Sequence, residues 1–135
     1  MTARILIVED EALVAMELRF VLEDLGYIVV GTAPDARTAR ALAMRGDVEL
    51  ALVDIHLSDG PTGVTVGQEL GEQFGVTVLY MTANPGMVSH GVPGTMGVLT
   101  KPTDEGCVRE AVEYALHLRR GEPVLATPDG LQMFG

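Results

Sequence analysis

Apolar and polar positions alternate along the chain in blocks that read as strand, acidic or turn-rich corner, then helix. Ile5 to Val8 is a continuous apolar run ending at Glu9-Asp10-Glu11. Val14, Leu18, Val21, Leu22 and Leu25 follow at helical spacing, and Gly26 closes that helix. Tyr27 to Val30 predicts a second strand, and Asp35 to Arg45 a short helix with Asp35 as N-cap and Gly46 as terminator. Val48 to Val53 predicts a third strand that ends at Asp54, followed by a turn-rich loop from His56 to Gly63. The next helix is weakly encoded. Val66, Leu70 and Phe74 share a face, but Gly67 and Gly71 each cost about 1 kcal/mol relative to alanine. Val76 to Tyr80 and Val98 to Thr100 predict the fourth and fifth strands, and a final helix runs from about Asp104 to Arg120.

Short, nearly all-apolar strands separated by helices bury both strand faces, which argues for a doubly wound α/β domain with a five-stranded parallel sheet. The expected domain covers residues 1–120. Residues 121–135, with Pro123, Pro128 and several glycines, read as a tail with no effector domain.

Length and composition narrow the class. The 135 residues suit one domain, 47% of them are hydrophobic and 21% charged, and no apolar run is long enough to span a membrane. Cys107 is the sole cysteine, which predicts no disulfide framework and a reducing cytoplasm, and it reads as a small packing residue. A formal net charge of −10 opposes direct contact with a nucleic-acid backbone.

The acids are clustered rather than spread. In an open α/β sheet, residues just beyond the carboxyl ends of the strands converge on one crevice. Here these are Glu9, Asp10, Asp54, Thr82 and Lys101. Three carboxylates at close quarters need a cation, and oxygen donors suit a hard ion such as Mg²⁺. That ion would let a carboxylate attack a phosphoryl group. Lys101 is the only lysine in the chain, the other basic residues being arginine. A compact ammonium at this corner suits a charge shared between carboxylate and phosphate.

These motifs, Val8-Glu9-Asp10-Glu11, Val53-Asp54, Met81-Thr82-Ala83 and Thr100-Lys101-Pro102, each closing its own strand, resemble those of the response-regulator receiver family over about residues 3 to 120. The resemblance is to the stand-alone type. It implies the flavodoxin-like receiver fold with strand order 2-1-3-4-5 and a phosphoacceptor rather than a turnover enzyme, with slow loss of its own phosphate. Asp54 would be the phosphorylation site. Asp10 would bind Mg²⁺ directly, Glu9 through water, and the His56 backbone carbonyl would complete the protein ligands with Asp54. Thr82 would donate to a phosphoryl oxygen, Lys101 would pair with Asp54 and then with phosphate, and Pro102 would turn the chain sharply, a place where a cis bond would serve. His56 and Asn84, beside the crevice, would modulate dephosphorylation. Implied partners are a sensor histidine kinase or a histidine phosphotransfer protein, and an unspecified downstream protein.

Three departures from the family pattern stand out. Ser58 replaces a proline common after the acceptor, within Asp59-Gly60-Pro61-Thr62-Gly63. The switch position is Val98 where an aromatic residue is usual. Six glycines and prolines from Asn84 through Gly97 predict a shortened or irregular fourth helix. A haloacid-dehalogenase-like phosphatase would need a second aspartate where His56 stands, and a flavodoxin-like flavin carrier would need a phosphate cradle. A receiver fold serving only as a protein-binding scaffold has no use for the intact acidic set. His90 and His117 read as exposed residues without a ligand role. Finally, Leu13, Met16 and Phe20 form a second apolar stripe on the first helix. The expectation is that Leu131, Met133 and Phe134 of the tail cover it, within one chain or across a homodimer.

Overall fold

Ile5, Leu6, Ile7 and Val8 have no accessible surface, which a strand achieves only with a layer packed on each face. The computed structural model, which describes residues 2–124 and 126–134, shows both layers. Leu125 and Gly135, within the expected tail, lie outside the described residues. The elements run β1 (Arg4–Val8), α1 (Ala12–Asp24), β2 (Ile28–Ala33), α2 (Ala36–Met44), β3 (Leu50–Asp54), α3 (Gly63–Phe74), β4 (Thr77–Thr82), a 3₁₀ turn (Pro85–Val88), β5 (Gly97–Thr100), α4 (Glu105–Arg119) and β6 (Leu131–Met133).

The sheet order is β2-β1-β3-β4-β5-β6, parallel except for the antiparallel pair β5–β6. The parallel order 2-1-3-4-5 is the expected one. The period of two divides the strand residues between two cores. Ile5, Ile7, Leu50, Leu52, Leu79 and Met81 pack against α1 and α4. Leu6, Val8, Ala51, Val53, Val78 and Tyr80 pack against α2 and α3.

The weakly encoded helix forms as α3, and its glycines mark places where neighbours come too close for a side chain. A Cβ on Gly67 would strike the Tyr80 ring and hydroxyl, and one on Gly71 would strike the Gly94 carbonyl. The Tyr80 hydroxyl, beside Gly67, donates to the Val64 carbonyl at 2.7 Å. The lost helix propensity is thus exchanged for packing of the largest fully buried side chain. The shortened fourth helix is also present as expected, reduced to the single turn Pro85–Val88.

One expectation needs correction, that of what the tail covers. The five expected parallel strands are present, and Leu131–Met133 of the tail adds a sixth, antiparallel strand on β5. An edge strand offers a row of unsatisfied backbone groups, and the alternation Leu131-Gln132-Met133 after the Pro128-Asp129-Gly130 turn supplies a matching strand. In consequence the tail does not cover the first-helix stripe. Leu13, Met16 and Phe20 remain 74%, 65% and 67% exposed, while Leu131 is buried in the sheet layer. A homodimer built on that contact loses its tail contribution, because the same residues are spent on β5.

Candidate functional site

Each residue singled out at a strand end lies where its strand leaves the sheet. Asp54 is the last residue of β3 and Thr82 the last of β4, Glu9 and Asp10 follow β1, and Lys101 follows β5. Parallel register makes the ends coincide: Asp54 pairs with Met81, and Thr82 with Thr100. Glu9, Asp54 and Thr82 are buried, whereas Asp10 is exposed at the rim. One carboxylate oxygen from each of Glu9, Asp10 and Asp54 lies within 4.8 Å of the others.

Lys101 closes the crevice. Its Nζ lies 2.9 Å from Asp54 Oδ2 and 3.1 Å from Glu9 Oε1. The Lys101–Pro102 peptide bond is cis. The other Asp54 oxygen, Oδ1, accepts from the His56 backbone N–H at 3.2 Å. Thr82 Oγ1 accepts from the Asn84 N–H at 3.1 Å. His56 and Asn84, the positions expected to modulate dephosphorylation, are exposed beside the crevice, as are His90 and His117 elsewhere. Val98 is fully buried on β5.

The electrostatics are those of a site with one charge too many. Burial, reinforced by Asp54, pushes the Glu9 carboxyl up to about 8 despite the Lys101 ammonium. Burial also acts to raise Asp54, but hydrogen bonds from Glu9, Lys101 and the His56 amide outweigh it and hold that carboxyl below its ordinary value. Lys101 is raised because its two carboxylate partners outweigh its burial. These opposite directions favour the proton on Glu9 and the charge on Asp54. Among the described residues, Glu9 Oε2 is the only buried side-chain oxygen or nitrogen lacking a hydrogen-bond partner. Oxygen donors of this density, one of them orphaned, fit a hard divalent cation.

The loop after Asp54 is braced by residues to which sequence reasoning gave no bracing role. Ser58 bonds the Pro34 carbonyl through both its N–H and its hydroxyl. Asp59 accepts from the Ala36 N–H at 3.3 Å and from the Thr62 hydroxyl at 2.5 Å. Gly63 lies so close to the acceptor strand that a Cβ there would overlap the Asp54 carbonyl and Ile55. The Asp-Gly-x-x-Gly spelling of the loop was the available signal. Its second glycine permits the approach, and its aspartate ties the loop to the start of α2.

The family model described as response regulator receiver domain matches residues 5–113. The chain belongs to that family. As a receiver domain it is 34% identical over 122 residues to the phyllosphere-induced regulator PhyR of Methylorubrum extorquens, covering 89% of this chain and 46% of that protein. It is 30% identical over 116 residues to the transcriptional regulatory protein PdtaR of Mycobacterium tuberculosis, covering 84% of this chain and 56% of that one. The chain therefore spans about half the length of these relatives. Among solved structures, the Erythrobacter litoralis PhyR receiver domain superposes with a TM-score of 0.79 at 30% identity, covering 93% of this chain and 97% of that one. The response regulator PhyR from Brucella abortus gives 0.80 at 30% identity, covering 90% of this chain and 50% of that one.

Receiver domains are phosphoacceptors rather than turnover enzymes, and the Glu9, Asp10 and Asp54 cluster is of the type that holds Mg²⁺ in them. No helix among the described residues is long and apolar enough to cross a membrane.

Proposed function

We propose that the chain is a response regulator that accepts a phosphoryl group on Asp54 from the phosphohistidine of a sensor kinase or histidine phosphotransfer protein. The supporting observation is the Lys101 ammonium bridging Asp54 and Glu9 at the shared ends of the parallel strands. It keeps Asp54 ionised, hence nucleophilic, while Glu9 carries the site's proton. An Asp54 oxygen attacks phosphorus and the P–N bond breaks. The imidazole departs with the electron pair and is then protonated. Asp10, Asp54 and the His56 carbonyl would hold Mg²⁺, with Glu9 acting through water, and the ion would supply charge neutralisation between the two anions. Thr82 turns its hydroxyl to a phosphoryl oxygen and Lys101 follows the new charge.

The donor has a surface to meet. A groove lined by Met16, Phe20, Val108 and Pro102 runs from Ala83 and Lys101 along α1, so its apolar floor begins at the crevice itself. A phosphohistidine-bearing helix seated there would approach Asp54. Signalling then proceeds by a contact with a downstream protein or by a relay step in the cytoplasm, and the −10 charge disfavours direct nucleic-acid binding.

Acetyl phosphate with Mg²⁺ tests the reading. Wild-type protein is expected to label once per chain, and Asp54→Asn not at all. Labelling of Asp54→Asn at the wild-type rate would overturn it, and many-turnover hydrolysis of p-nitrophenyl phosphate would favour a phosphatase.

A further inference from the structure

Beyond α4 the chain returns to the sheet, and its contacts there are more particular than the filling of an edge requires. Gly97, Val98 and Leu99 of β5 face Met133, Gln132 and Leu131. Two further bonds extend the ladder, from the Thr100 N–H to the Gly130 carbonyl at 3.2 Å and from the Phe134 N–H to the Met96 carbonyl at 2.9 Å. β5 is shaped for this approach, since a Cβ on Gly97 would lie 2.5 Å from the Gln132 carbonyl oxygen. Phe134 packs on the α2–α3 side of the sheet, its ring centroid 6.4 Å from that of Tyr80 and tilted by 44°. A Cβ on Gly91 would sit 3.5 Å from the Phe134 Cβ.

Those contacts reach back to the crevice. Thr82 Oγ1 holds the Asn84 N–H, and Asn84 leads directly into the 3₁₀ turn. Val88 of that turn is buried, and its carbonyl accepts from the Gly91 N–H at 2.9 Å, which sets Gly91 against Phe134. Val98 has no ring with which to relay a movement of Thr82, whereas Phe134 is a ring resting on the segment that Thr82 anchors. β6 itself is only three residues long, so few backbone bonds hold it, and its release costs the burial of Leu131 at the edge of the core.

We propose that β6 with Phe134 is the moving part of the switch. It occupies the β5 edge while Thr82 bonds Asn84. It leaves when the Thr82 hydroxyl turns to a phosphoryl oxygen on Asp54, so that the 3₁₀ segment shifts from beneath the ring. This rests on the phosphoacceptor reading of Asp54.

Amide hydrogen exchange on the full chain, with and without beryllofluoride and Mg²⁺, reads the movement at the Thr100 and Phe134 amides. Both are expected to exchange at least about tenfold faster when beryllofluoride is bound. Phe134→Ala is expected to give fast exchange at Thr100 without beryllofluoride while acetyl phosphate still labels Asp54. If beryllofluoride binds, as seen by ¹⁹F resonance, and the two amides exchange at an unchanged or slower rate, the switch is not β6. Slow exchange at Thr100 in untreated Phe134→Ala would equally exclude the ring as the latch. Failure of beryllofluoride to bind at all would instead remove the phosphoacceptor reading, and this inference with it.

Discussion

Lys101 Nζ lies 2.9 Å from Asp54 Oδ2 although 47 residues separate them in sequence, and it is also the hydrogen-bond partner of Glu9. One cation thus bridges two carboxylates, favouring charge on Asp54 and a proton on Glu9. Lys101→Ala should raise the Asp54 pKa and slow labelling by acetyl phosphate by at least about tenfold, because the charge that accompanies the moving phosphoryl group is gone. NMR titration of the Asp54 carboxyl and a labelling time course check both halves. An unchanged rate would deny Lys101 its proposed role.

Mg²⁺ affinity should depend on pH through Glu9. That carboxyl is raised from 4.5 to about 8, so between these values the folded chain holds a proton that the unfolded chain has released. Its contribution to metal-free stability is full below 4.5 and is lost as pH rises through about 8. Cation binding must displace the same proton. Affinity measured by calorimetry should therefore climb by up to about tenfold per pH unit below that point and then level off. A Kd that stays flat from pH ~6 to ~8 would contradict the assignment of the proton to Glu9.

Gly67→Ala should destabilise the protein even though alanine is the better helix former. The added Cβ meets the Tyr80 ring, which is fully buried and cannot move aside. Overpacking of this kind costs about 1–3 kcal/mol, more than the ~1 kcal/mol that the propensity gain returns. Urea unfolding with an unchanged m-value would register the difference.

Substitutions in the α1 stripe should separate stability from recognition. Phe20 and Met16 are largely exposed, so Phe20→Ala and Met16→Ala should each change stability by no more than about 0.5 kcal/mol. Acetyl phosphate labelling should be unaffected. Phosphotransfer from a histidine protein should fall, since that donor must seat beside Lys101 in the groove the two residues line. Equal transfer to the variants would remove the groove from the docking surface.

Much of this protein was legible in its sequence because the deciding signals are local. Continuous apolar runs such as Ile5 to Val8 mark strands buried on both faces, and the polar residue that ends each run marks the crevice. The parallel sheet and the convergence of Glu9, Asp54, Thr82 and Lys101 follow from that alternation, whereas the strand order came with the family resemblance. The shortened fourth helix was readable from Pro85, Gly86, Gly91, Pro93 and Gly94, which cannot sustain helical hydrogen bonding.

What the tertiary structure decided is which surfaces meet. Nothing local says that Gly67 and Gly71 are spaces for Tyr80 and Gly94, so the sequence pattern undervalued α3. Nor does it say whether Leu131, Met133 and Phe134 cover α1 or the β5 edge. Both destinations bury apolar side chains, but only the edge also satisfies backbone N–H and C=O groups, and Gly97 leaves room there for β6. The shift of Glu9 has the same origin. Its identity as an acid is in the sequence, but the burial and the neighbouring charge that hold its proton exist only once β1, β3 and β5 are assembled in one sheet.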